Sequence, residues 1–487
     1  MADYVYNKEA LDKKLREGAP KHPWRNRFHL EIPWGFTGSV KGILAKGGVW
    51  HLFLQWNPFS TRDENKGWAH LETRDFLHYN APTLALWPSG DIDREGCGSG
   101  SVYQEGNEIL ALYTGRRTEG KTRANLQIAA RLGADGVFHK EGVAIAKPPE
   151  GYTDLFQGPY VFRMGNATYV LLGAQRAPKE DARGCALLYR QEGKQFQFLG
   201  ELRTDLGFFG RVWECPSILT LGGKTALVFS PRGLEGQKYA YQNLFQSGYV
   251  AGRLTLPSGE FLHGPFRELD KGFDFFAPHS VTHEGRNIVI GWMAMPHRDM
   301  DYPTEALGFM HALTMPRTLT LRQGRIYTEP IKEMKDLRVQ ESQREVHEEH
   351  TKNVTTTLYQ GTELVLAVRF GKAPHLTMTF HYGEEELSLF YDRAAQIMTI
   401  NRDGMHLGAK GTRRFRLYAD GELYLRAYLD KSAVEFFFQH GEEAASLLVF
   451  PEKNEPPTLT IAADQELDEV NATFWELAGI CFEGAER

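Results

Sequence analysis

Residues Trp50–Phe59 read WHLFLQWNPF. A short apolar run that ends in amides and aromatics reads as a buried strand opening onto a polar surface. Four more runs of the same kind follow along the chain: ILALYTG (109–115), TYVLLGA (168–174), TALVFSP (225–231) and NIVIGWM (287–293). Neighbouring runs start about 60 residues apart, near the period of repeated β units. A second feature recurs out of phase with the first. WAHLETRDFLHY, LQIAARLGADGVFH, CALLYRQEGKQFQF and YVAGRLTLPSGEFLHG each join partial alternation to a Gly-containing or polar turn and an aromatic return strand. That pattern is hairpin chemistry.

Five multi-stranded repeats predict an all-β fold whose first part is a five-bladed β-propeller. Such a ring brings polar residues from distant strand ends to one central funnel. Beyond about residue 338 the character changes to short alternating strands, such as TELVLAVRF, HLTMTFHY, LYLRAYLD and SAVEFFFQ. These predict a C-terminal antiparallel β-sandwich. The expected organisation is an N-terminal extension (1–27), a propeller (28–337) and a sandwich (338–487). The charged stretch KEMKDLRVQESQREVHEEHTKN is expected to be a connector with a solvated face.

The chain has 487 residues, 42% of them hydrophobic, and a net charge of −6. Two globular domains fit that length, and the acidic balance argues against a nucleic-acid partner. No apolar run approaches the roughly 18 residues of a membrane span. The first residues lack the apolar core of a signal peptide, which predicts a cytoplasmic protein. Cys97, Cys185, Cys215 and Cys481 have no metal-ligand spacing, so no structural zinc, other metal or cofactor is expected. Asp91 and Asp93 lack the full spacing of a calcium loop and read as a turn.

RVWECPSI (211–218) holds the most reactive candidate. Glu214, between Trp213 and Cys215, is expected to have its pKa raised by burial, as a general acid needs. The structural alternative is a buried Glu paired with an Arg. Other polar or aromatic strand-end residues are Gln55 and Trp56, Trp68, Ser99, Tyr113 and Thr114, Asp274, and Trp292. Aromatic faces beside amides and hydroxyls are the groups that hold sugars.

HLFLQWNPF, WAHLETRDFLHY, GCGSGSV, LYTG, WECPS, GFDFFAP and IGWM occur in the order found in glycoside hydrolase family 32, the invertase, sucrose-6-phosphate hydrolase and fructanase family. LDKSAVEFFF resembles a signature of that family's sandwich domain. The resemblance covers most of the chain and implies a five-bladed propeller followed by a sandwich. It implies cleavage of β-fructofuranosides with retention, by an Asp nucleophile in W-M-N-D-P-N-G, a transition-state Asp in R-D-P, and an acid/base Glu in E-C-P. Retaining chemistry places its two carboxyl groups about 5 Å apart. E-C-P falls on Glu214, Cys215 and Pro216. W-M-N-D-P-N-G falls on Phe36–Gly42, which puts Ser39 at the nucleophile and Gly38 at the adjoining Asn. R-D-P falls on Gln157, Gly158 and Pro159. Two of the three catalytic carboxylates are therefore absent.

A Ser hydroxyl does not replace Asp at an anomeric carbon without a base to activate it. Three activities fit this set. The first is an atypical glycosidase, with Glu214 as acid and direct attack by water or another acceptor; Asp154 and Glu31 lie near the lost positions in sequence and are candidates for a displaced carboxylate. The second is phosphorolysis or transfer to another acceptor, with Arg116, Arg117, Arg176 or Arg211 facing an anion. The third is a non-catalytic sugar-binding protein on a hydrolase scaffold. The expected partner in each case is a small oligosaccharide or glycoside, and Gly38 leaves fructose specificity open.

Overall fold

The computed structural model describes residues 8–17, 21–119, 122–295 and 302–483. A ten-residue helix, Lys8–Glu17, precedes an all-β architecture. Five sheets follow one another between Gly35 and Pro330, and a ten-stranded sheet made only of strands after Arg344 forms the sandwich-like C-terminal part.

The five apolar runs occupy the same place in each sheet. They lie in Val49–Asn57, Glu108–Glu119, Ala167–Arg176, Lys224–Arg232 and Arg286–Met293, each hydrogen-bonded to an inner strand on one side and an outer strand on the other. Their side chains meet neighbouring sheets on both faces. Lys224–Arg232 and Arg286–Met293 are accordingly buried over almost their whole length. A strand covered on both faces reads as a continuous apolar run, not as an alternation. The outer strand Gln195–Glu201 has no buried residue and no such run.

The inner strands are Gly35–Lys46, Cys97–Glu105, Tyr152–Met164, Val212–Leu221 and Phe276–His283. Each packs against the next, and the last packs against the first, so the sheets close into a propeller-like ring. Every inner strand loses register with its partner at one level. The breaks fall between Thr37 and Val40, Cys97 and Gly100, Gln157 and Tyr160, Glu214 and Ser217, and Phe276 and His279. Bulges of this kind turn side chains out of the ladder and are common beside active sites. Gly158, Cys215 and Ala277 take positive φ values of 69°, 48° and 44° within them.

A buried polar joint ties the ring to the C-terminal sheet. Asp430 accepts hydrogen bonds from the backbone N–H groups of Arg27, Phe28 and His29 at 2.8–3.0 Å. His29 lies between Asp430 Oδ2 (3.0 Å) and Glu435 Oε1 (3.1 Å). Arg317 bonds Asp270 (2.9 Å) and Glu435 (2.8 Å). The LDKSAVEFFF stretch thus supplies two of the acidic acceptors of this joint, Asp430 and Glu435, and Asp270 supplies a third. The expected charged connector differs in form: Lys332–Leu337 is a 3₁₀ helix, and Arg344–Thr357 is a mostly exposed strand of the C-terminal sheet. Among the described residues no helix is long and apolar enough to cross a membrane.

Candidate active site

The five register breaks surround a small cavity on the ring axis. Lys41, Ser99, Gly158, Cys215, Ala277 and His279 are among its lining residues. Residues about 60 apart in sequence therefore share one floor.

Lys41 is the residue that dominates this floor. Its side chain is 2% exposed, and its Nζ donates to Ser39 Oγ at 2.7 Å and Ser99 Oγ at 3.1 Å. No carboxylate lies within ion-pair distance of it among the described residues. A buried ammonium without an anionic partner is unfavourable. Burial pulls the Lys41 pKa down to about 8, with Arg116 adding to the effect and Cys215 and Glu214 opposing it. Sequence reasoning missed this residue. The available signal was a single charged residue in an otherwise small and apolar inner strand, GFTGSVKGILA.

Glu214 lies at the rim of the same ring, 9% exposed. Gln157 Nε2 donates to its Oε1 at 2.6 Å, and Arg232 pairs with its Oε2 at 2.9 Å. Arg232 stacks over Phe245, 4.3 Å from the ring centre, which fixes its guanidinium. Of the two readings of Glu214, the geometry matches the buried Glu paired with an Arg, with Gln157 as a second donor. No residue in the Glu214 segment itself signalled Arg232, which arrives from the facing strand.

Ser39 and Ser99 meet at Lys41, Gln157 meets Glu214, and Gly158 and Cys215 line the same cavity as Ser99. Cys215 Sγ lies 3.8 Å from Ser99 Oγ, and Thr114 Oγ1 accepts from the Gly158 N–H at 3.0 Å. Gln55 and Trp292 support this wall from behind. Gln55 donates to Cys97 O (3.0 Å) and Trp292 Nε1 to Thr37 O (2.8 Å). A Cβ on Gly38 would stand 2.8 Å from Gln55 Cβ, so close packing keeps that position small.

Other expected site residues lie elsewhere. Trp56 and Trp68 are fully buried, with Nε1 groups spent on Trp34 O (2.8 Å) and Gly98 O (3.0 Å), so they are wall and core residues. Asp274 belongs to the joint with the C-terminal sheet, bonded to Arg402 at 2.6 Å and the Leu448 N–H at 2.9 Å. Glu31 is held by Asn26 and by Arg25 at 3.4 Å, away from Glu214; burial raises its pKa to about 7. Asp154 is exposed and makes no hydrogen bond or ion pair with Glu214, Ser39 or Lys41. Among the expected arginines, Arg176 is half-exposed and pairs with Glu201, and Arg211 is exposed. Tyr113 OH is bonded to the buried Asp93 at 2.7 Å, which also pairs with Lys140, so Asp93 is a structural acceptor.

Residues 29–330 match the family model described as the glycosyl hydrolases family 32 N-terminal domain, and residues 333–476 match that of the family 32 C-terminal domain. The chain belongs to glycoside hydrolase family 32. It is 33% identical over 488 aligned residues to the sucrose-6-phosphate hydrolase of Bacillus subtilis (strain 168), covering 96% of this chain and 97% of that one. It is 31% identical to the raffinose invertase of Escherichia coli, over 96% and 98% of the two chains. The sucrose-6-phosphate hydrolase structure from Lactobacillus gasseri superposes with a TM-score of 0.87 at 26% identity, covering 98% and 97% of the two chains. The Bombyx mori GH32 beta-fructofuranosidase BmSUC1 gives 0.82 at 26% identity, over 97% of each chain. Ser39 and Gly158 sit in two of the five register breaks, and Ser39 accepts a hydrogen bond from Lys41.

Proposed function

We propose that this family 32 chain cleaves the glycosidic bond of a β-fructofuranoside or a related sugar, with Glu214 as proton donor and Lys41 in place of the missing carboxylates. The five closed sheets are read as the five blades of a propeller spanning 28–337, and the sandwich as 338–487. The observation that carries the reading is the buried Lys41 amine, 2.7 Å from Ser39 Oγ, in a cavity that Lys41 and Gly158 both line. The named activities of the sucrose-6-phosphate hydrolase and invertase relatives support the substrate class, as does a BmSUC1 mutant solved in complex with sucrose.

In this reading water attacks the anomeric carbon directly. Neutral Lys41 takes a proton from that water, the bond to the leaving oxygen breaks, and Glu214 gives that oxygen its proton. A base with a pKa near 8 is matched to such a transfer. Direct displacement inverts the anomeric centre, unlike the two-step route of the family.

A second reading is a sugar-binding protein without turnover. The Arg232 ion pair and the Gln157 hydrogen bond favour it, since both hold the Glu214 carboxyl in fixed contacts. Product analysis on a panel of β-fructofuranosides, with and without inorganic phosphate, separates the cases. Free sugars that vanish in Glu214→Gln and Lys41→Met support cleavage. A sugar phosphate formed only with phosphate present indicates phosphorolysis. Saturable sugar binding without any product leaves the receptor reading.

A further inference from the structure

His51 and His70 come from adjacent strands of the first sheet and lie diagonally across it. His51 pairs in register with Glu72, and His70 with Phe53. All four side chains share one face. His51 Nδ1 and His70 Nε2 stand 3.0 Å apart, and Glu72 Oε1 lies 3.3 Å from the first and 3.9 Å from the second. These three separations define a triangle whose corners are all about 2.0 Å from one common point, the bond length of a zinc ion to imidazole nitrogen or carboxylate oxygen. The two facing ring nitrogens cannot both carry protons at this distance, so at least one presents a lone pair.

The rings are also held in place. His70 is 6% exposed and stacks on Phe53, with centroids 4.4 Å apart and planes within 6°. His51 lies nearly parallel to it. His51 and Glu72 border an open cleft between the first two sheets, with Lys46, Asn107 and Glu108 along its edge. Lys46 is tied to Asn107 O at 2.6 Å. The cleft gives an ion a way in and leaves coordination positions for water. His51 is level with Leu44, five residues along the inner strand from Ser39, or about 16 Å of strand.

We propose that His51, His70 and Glu72 form a binding site for a divalent transition-metal ion of the zinc class, separate from the sugar-site floor. Two imidazoles and one carboxylate suit zinc, cobalt or nickel better than calcium or magnesium, which prefer all-oxygen sites. Sequence spacing hid the set, because 18 residues and a hairpin separate the two histidines.

Calorimetric titration of the full chain with zinc chloride, and visible spectra with cobalt chloride, test the site. One equivalent binding at micromolar concentration is expected. His51→Gln and Glu72→Gln should each weaken it at least tenfold while leaving folding and sugar turnover or binding unchanged. The Glu72 side chain is partly exposed, 43%, which makes its variant the safer of the two for folding. Zinc should raise the thermal midpoint of the parent chain by several degrees and that of the variants by less. Absence of binding overturns the proposal. So does unchanged binding in both variants, which would assign the ion to the exposed groupings around His347 or His406.

Discussion

Arg232 and Glu214 form an ion pair of 2.9 Å across the first two strands of the fourth sheet, at the edge of the candidate active site. The pairing draws one side of the carboxylate away from the funnel while Gln157 holds the other. A proton donor in this setting shares its carboxyl with a fixed guanidinium. Arg232→Met removes that contact and should change turnover by about tenfold or more. Initial rates of the two proteins check this, and an unchanged rate would show that Arg232 does not act on Glu214.

Lys41 gives a second test. If Lys41 is the base, the activity profile should carry a limb near pH 8, where burial has brought its amine. Lys41→Met should lower turnover by about 10²-fold or more and abolish that limb, while sugar affinity changes less. A steady-state profile of both proteins separates a base from a wall residue.

On the proposed reading, placing one carboxylate at a time at position 39 or 158 should not produce retaining cleavage. Ser39→Asp would put its charge beside Lys41 and form an ion pair, raising the amine's pKa and consuming the new carboxylate. Gly158→Asp meets only ordinary contacts, 3.4 Å or more, but at a φ of +69°. Asp is among the residues that tolerate that conformation. The expected outcome is folded single variants with turnover no higher than the parent. A triple change of Ser39→Asp, Gly158→Asp and Lys41→Asn is the least that could restore retaining hydrolysis, read from the anomer formed first.

The joint between ring and sandwich predicts a pH dependence of stability. Burial pulls the His29 pKa down, but hydrogen bonds and charges from Asp430 and Glu435 outweigh it and raise it from 6.5 to about 9. A raised imidazole adds stability in full below its unfolded value and loses it as pH climbs through the folded one. The urea midpoint should therefore fall between about pH 6.5 and 9. His29→Gln should be less stable throughout and show a flatter slope in that window.

The fold was legible because both-sided burial leaves an apolar run that needs no alignment to see. TYVLLGA and NIVIGWM mark second strands for that reason. The sandwich was legible from period-two strands such as HLTMTFHY, whose burial alternates residue by residue. The site was legible only in part. Ser39, Ser99, Gly158 and Cys215 stood out through small residues and the family pattern. Lys41 and Arg232 did not, since nothing in a one-dimensional string says that a lysine is buried or that an arginine reaches across a strand pair. Trp56, Trp68 and Asp274 misled for the opposite reason: strand-end polarity also serves walls and joints.

The aligned interruptions of the five inner strands also bear on how such a protein changes its chemistry. Each strand leaves its ladder for two residues and rejoins it, so the side chains at that height carry little of the ladder's cohesion. One sector's contribution can then be exchanged while the other four stay anchored. A scaffold built this way can exchange the side chains of its floor without refolding, which makes that floor an editable panel set into an unaltered frame.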